Sequence, residues 1–103
     1  LEAVREVYAE NRGLLLDRLP KLGFETILPA DGAFYLYADI TPFADDSVVF
    51  ARELLQQAGV AVTPGPDFDR VHGHRFVRFS LAGPHADMIE GMDRLAAFLA
   101  GRG

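Results

Sequence analysis

Leu1, Val4, Tyr8, Leu15 and Leu19 recur near helical spacing, with Glu2, Arg5, Glu10, Arg12 and Asp17 set between them. That alternation predicts one amphipathic helix of about five turns, ended near Pro20 and Gly23. Phe24–Leu28 is a short β-like run, closed by Pro29 and by the turn pair Asp31-Gly32. Ala33–Ile40 is rich in aromatic and aliphatic residues and reads as a strand, so the two runs predict a hairpin. After the loop Thr41–Asp46, Ser47 is a good N-cap for a second helix with Phe50, Leu54, Leu55 and Ala58 as its inner stripe. Gly59 supplies its C-terminal stop. Val60–Val62 predicts a short strand, Thr63–His74 a loop, and Arg75–Leu81 a strong strand. Pro84 suits the first position of a last helix, whose apolar face is Met88, Ile89, Met92, Leu95, Ala96 and Leu99 and which frays at Gly101.

The order is α-β-β-α-β-β-α without an internal repeat, which predicts an α+β two-layer sandwich with helices on one face of a small, largely antiparallel sheet. The length fits one domain over residues 1–103. The other sheet face is then either solvated or packed against something outside this chain. Composition changes the picture little. Hydrophobic residues are 50% of the chain and the net charge is −5, which argues against a nucleic-acid partner. There is no cysteine, so disulfides and thiolate metal sites are excluded. No apolar run approaches bilayer length and no signal peptide is visible, so cytoplasmic residence is the default expectation. A first residue of Leu rather than Met hints at a piece of something longer.

The chemistry concentrates in Phe76-Val77-Arg78-Phe79-Ser80-Leu81. Strand alternation puts Val77, Phe79 and Leu81 under the helices, and Phe76, Arg78 and Ser80 on the bare face. An arginine in mid-strand between aromatics calls for an anionic partner, and its planar fork suits a carboxylate. Two readings stand side by side: a structural ion pair with Asp39, or a receptor for a ligand's carboxylate. His72 and His74, with Asp67 and Asp69 just before them, have the residue types of a metal loop but also those of an ordinary mobile one, so no metal is assigned. His85, near a helix start, reads as a surface residue.

Three stretches carry a resemblance. Asp31-Gly32-Ala33-Phe34-Tyr35-Leu36-Tyr37 is similar to the "P-x-G-A-F-Y" strand of class I/II aminotransferases. Gly59-Val60-Ala61-Val62-Thr63-Pro64-Gly65 resembles their "G-V-x-V-x-P-G" segment, and Phe76-Val77-Arg78-Phe79-Ser80 their "x-x-R-I/L-S" strand. The order and spacing agree over nearly the whole chain. The resemblance implies the small C-terminal domain of a fold-type-I, aspartate-aminotransferase-like enzyme that uses pyridoxal 5'-phosphate to move an amino group between an amino acid and a 2-oxo acid. It implies that Arg78 clamps the substrate's α-carboxylate, that Phe34 lies close to the active site, and that Pro64 and Gly65 shape the cleft, Gly65 through a turn conformation that a Cβ would disfavour. Leu1–Leu19 would be the helix connecting the two domains.

The departures matter as much. The family's Schiff-base lysine belongs to the large domain, as do the carboxylate at the pyridine nitrogen, the ring-stacking aromatic and most of the phosphate cup. Lys21, the single lysine, ends a helix and has Arg18 three residues before it, so it reads as a solvated helix-end charge. No residue here is therefore catalytic, and the chain alone is expected neither to bind the cofactor nor to transaminate. Relatives are usually homodimers joined through the large domain, which leaves this chain free to be a monomer. The resemblance leaves the donor amino acid open, and also lyase or other chemistry on the same cofactor. Two rivals remain: a free-standing small-ligand-binding regulatory module of ferredoxin-like form, and a domain kept only for dimer contacts.

Overall fold

The computed structural model describes residues 2–30, 32 and 34–102. Leu1, Asp31 and Ala33, which fall in the expected first helix, hairpin turn and second strand, lie outside the described residues.

The first helix, α1, runs Glu2–Leu22 and passes through Pro20 rather than ending there. A proline so near a C-terminus forgoes only the bond to the carbonyl four residues back. That carbonyl belongs to Leu16, on the exposed side of the helix. The carbonyls of Leu19 and Pro20 then accept from the Phe24 and Gly23 amides and close the turn. β1 is Ile27–Ala30 and β2 is Tyr35–Asp39, paired antiparallel from Ile27↔Ala38 to Ala30↔Tyr35. The expected strand start at Phe24 is displaced because that ring is buried in the core, 4.7 Å from the ring of Phe43 and 6.2 Å from that of Phe79.

α2, Ser47–Ala58, is capped by Asp46, whose carboxylate accepts from the Val48 amide at 2.8 Å. Ser47 is not the cap. It is fully buried and donates its hydroxyl to the Gly73 carbonyl at 2.7 Å. Gly59 ends the helix in the left-handed conformation, φ 70°. The third strand, β3, is Thr63–Pro64 rather than Val60–Val62. The Val60 amide is engaged by the Leu54 carbonyl in the helix cap, so pairing begins further on. β4, Phe76–Ser80, lies between β2 and β3, antiparallel to both, giving the sheet order β1-β2-β4-β3. Pro64 thus sits on an edge strand, where a missing amide is tolerated. The last helix, α3, is His85–Arg102, and the carbonyl of Pro84 just before it accepts from the Asp87 and Met88 amides.

The helices cover one sheet face. Leu36, Ala38, Val77 and Phe79 point into that layer and are buried with Leu15, Leu19, Phe50, Leu54, Met92, Leu95 and Phe98. Each of these side chains other than Ala38 contributes about 1.5–3 kcal/mol by leaving water. Helical periodicity misjudged two inner stripes. Leu55 and Ile89 are exposed, whereas Ala51 and Phe98 face inward. The one buried amide side chain in α1, that of Asn11, ties the helix to the β4–α3 turn. Its nitrogen donates to the carbonyls of Leu81 at 2.8 Å and Gly83 at 2.7 Å, and its oxygen lies 2.8 Å from Nδ1 of His85. With the amide nitrogen so occupied, that oxygen must accept and His85 Nδ1 must carry the proton. His85 is therefore a half-buried structural partner rather than a bystander on the surface. No helix among the described residues is long and apolar enough to cross a membrane.

Gly13 and Gly91 lie within α1 and α3, and a Cβ at either would meet nothing within 4 Å. Alanine at each is expected to raise stability by about 0.5–1 kcal/mol through helix propensity, read as a higher urea midpoint. A lowered midpoint would show an unseen role for the missing side chain.

Candidate functional site

The helix-free face of the sheet carries Tyr35, Tyr37 and Asp39 from β2 and Phe76, Arg78 and Ser80 from β4, since their register partners alternate with the buried set. Thr63 of β3 pairs with Arg78 from the other side. Arg78 thus occupies the middle of a central strand, half-buried, where the sequence placed it. Its guanidinium carbon lies 4.1 Å from the Tyr35 ring centre and 5.4 Å from that of Phe68. Aromatic faces at such distances attract a guanidinium.

Phe68 comes from the loop after β3, and its position is built by glycine. Gly65 and Gly73 cross backbone to backbone, so closely that a Cβ on Gly65 would fall within the Gly73 carbonyl. This corrects the expected reason for Gly65, which does not have a positive φ. Space, not conformation, demands glycine there. From that crossing the Gly65 carbonyl accepts from the amides of Phe68 and Asp69, and the Asp69 carboxylate accepts from those of Val71 and His72. The His72 amide, then that of Val71, hold the Asp69 carboxyl below its ordinary pKa. The loop so folded lays Phe68 on Tyr37, ring centres 4.5 Å apart and planes 20° from parallel. A hollow of about 360 Å³ opens between Leu28, Tyr37, Phe68, His72, Arg75 and Phe76.

Asp39, the residue offered as a structural partner for Arg78, is engaged elsewhere. Its Oδ2 accepts from Arg75 Nη2 at 2.9 Å, and its Oδ1 accepts from the Thr41 amide at 2.8 Å and the Thr41 hydroxyl at 2.6 Å. Burial works to raise the Asp39 pKa, but the Thr41 hydroxyl, the Thr41 amide and the Arg75 guanidinium together outweigh it and hold the carboxyl below its usual value.

The ring of Phe34 stands edge-on to Tyr8 of α1, centres 5.2 Å apart, with half its surface exposed. Pro64 pairs with Val77 and leads into the glycine crossing. Lys21 is on the helix layer, well exposed, 3.1 Å from Asp17 one turn earlier. Among the described residues no three of His, Asp and Glu gather as a metal-ligand set. Sequence reasoning missed Phe68 and the Arg75–Asp39 pair. A lone phenylalanine in a loop of Pro, Gly and Asp was the available signal.

The sequence profile for "Aminotransferase class I and II" matches residues 1–95. The chain is 49% identical over 92 residues to the valine–pyruvate aminotransferase of Mycobacterium tuberculosis, covering 89% of this chain and 24% of that protein. It is 42% identical over 99 residues to the aspartate/prephenate aminotransferase of Thermus thermophilus, covering 96% of this chain and 24% of that one. A crystal structure of an aminotransferase from Mycobacterium tuberculosis superposes with a TM-score of 0.91 at 45% identity, over 97% of this chain and 26% of that chain. The chain therefore spans about a quarter of the length of the relatives it matches.

Proposed function

The chain belongs to the class I and II aminotransferases, and on that premise we propose that it forms the small domain of a pyridoxal-phosphate-dependent enzyme exchanging an amino group between an amino acid and a 2-oxo acid. In that enzyme Arg78 grips the substrate's α-carboxylate. One observation carries the reading: a half-buried arginine lies in the middle of the helix-free sheet face, its guanidinium carbon 4.1 Å from the centre of the Tyr35 ring. A guanidinium in that setting offers two parallel N–H donors, and the stacked ring limits how it turns.

The residues present do not make a site for the cofactor itself. The single lysine is solvated and ion-paired on the helix layer, away from the face that bears Arg78. The cofactor's binding, and its task of delocalising charge from the reacting carbon, belong to the rest of such an enzyme. What this chain does is hold one end of the amino acid. Two hydrogen bonds to the carboxylate fix the direction of the Cα substituents and restrict the bound substrate to one pose. Phe34 with Tyr8 would line the rim of the same cleft, Pro64 and Gly65 would set its wall, and α1 would connect the domains.

The test is Arg78→Lys in the full-length enzyme. Lysine keeps the charge and loses the fork, so KM for the amino-acid donor is expected to rise about tenfold, one charge-assisted hydrogen bond's worth, with a smaller change in kcat. An unchanged KM would remove the bidentate clamp.

A further inference from the structure

We propose that Arg75 is a positioning residue for the carboxylate clamp, holding Asp39 so that it does not compete with the substrate for Arg78. The inference rests on the reading of Arg78 given above and adds a second arginine to it.

The register supplies the geometry. Asp39 pairs with Phe76 and Tyr37 pairs with Arg78, so Asp39 and Arg78 are diagonal neighbours on adjacent strands and on the same face. Diagonal cross-strand positions lie within reach of a side chain as long as arginine. Asp39 is 5% exposed. A carboxylate so little hydrated attracts any guanidinium that can reach it. The site therefore contains, built in, an anion of the same kind as the group it is proposed to bind. Three hydrogen bonds restrain that anion: two from Thr41 to one oxygen and one from Arg75 to the other. The lowered pKa of Asp39 fits a carboxylate kept ionised, so protonation does not remove the competitor near neutral pH.

Arg75 is suited to the task. It ends the 3-10 turn Gly73–Arg75 that follows the glycine crossing, and its carbonyl accepts from the Ile40 amide at 2.7 Å. Its side chain leans on Phe76, guanidinium carbon 5.8 Å from the ring centre, and stays about half exposed. It neutralises Asp39 from the solvent side and leaves the strand's middle to Arg78.

The experiment compares four forms of the full-length enzyme: wild type, Arg75→Met, Asp39→Asn, and both changes together. Methionine keeps the apolar stem over Phe76 and removes the charge. With Oδ2 released, Arg75→Met is expected to raise KM for the best donor amino acid about tenfold, the effect of one competing charge-assisted hydrogen bond, with kcat nearly unchanged. Asparagine retains the acceptor for Thr41 but loses the negative charge, so the double variant is expected to regain the wild-type KM. A purely structural role for Arg75 predicts no such recovery. A KM unaltered by Arg75→Met, or one that stays high in the double variant, would overturn the proposal. Arg78→Leu run alongside separates the two ideas. If it leaves KM untouched, the clamp itself fails; if it raises KM while Arg75→Met does not, only the role of Arg75 fails.

Discussion

Arg78→Leu in the full-length enzyme is expected to lower kcat/KM for amino-acid donors by roughly two to three orders of magnitude. Removing one partner of a desolvated charge pair typically costs about 2–5 kcal/mol, and each 1.4 kcal/mol is a factor of about ten. The expectation sits in the middle of that range because the site is only half-buried and screening by water takes a share. Leucine keeps an apolar side chain at the position and removes the guanidinium that lies over the Tyr35 ring. Both kinetic constants should move. KM rises because the substrate loses its grip, and kcat falls because a carboxylate held in one direction is what aligns the bonds at Cα. Far-ultraviolet circular dichroism and a thermal midpoint near wild type would show that the fold survives. A folded variant with undiminished kcat/KM would take Arg78 out of the site altogether.

How much of this was legible beforehand depends on how local each determinant is. Period-two alternation in Phe76–Ser80 correctly divided Val77 and Phe79 from Phe76, Arg78 and Ser80, because the strand's own geometry decides that split. The order of elements was likewise carried by apolar spacing and by Gly and Pro stops, Gly59 most plainly. Ser47 and Asp46 are both acceptable caps by composition. Only the Gly73 carbonyl, 26 residues away, decides that the serine is buried and the aspartate caps. Asp39 was offered as the ion-pair partner of Arg78, and it pairs instead with Arg75. The cation it found ends a 3-10 turn, and no strand pattern announces the side-chain direction of such a residue. Phe68 escaped for the same reason, since its place above Tyr37 is a consequence of two glycines meeting across the loop. What was hidden were side-chain contacts fixed by loops, which no strand or helix period announces.

That meeting of glycines sets the largest expected effect on stability. Gly65→Ala is expected to destabilise the chain by about 3 kcal/mol or more, at or beyond the upper end of ordinary overpacking. The three nearest atoms to a Cβ at Gly65 are the Gly73 carbonyl oxygen, carbonyl carbon and Cα, all of them backbone. No rotamer change can clear them, so one of the two segments must move. Neither is free to do so cheaply. The Gly73 carbonyl is held by the buried Ser47 hydroxyl, and the Gly65 carbonyl accepts from the Phe68 and Asp69 amides. In a domain of about 100 residues each kcal/mol shifts the thermal midpoint by roughly 4–8 °C, so a fall of about 12–24 °C is expected by calorimetry. Gly13→Ala is the matched control, because it adds the same methyl where no atom lies within 4 Å. The steric account of Gly65 also predicts a local consequence. Phe68 hangs from the crossing, so its stacking on Tyr37 should loosen even at temperatures where the variant is folded, visible as altered ring-proton shifts of Tyr37. A Gly65→Ala midpoint within about 3 °C of wild type, less than 1 kcal/mol, would show that the two segments slide apart easily. The loop carrying Phe68 would then have to be held in place by Ser47 and Asp69 alone.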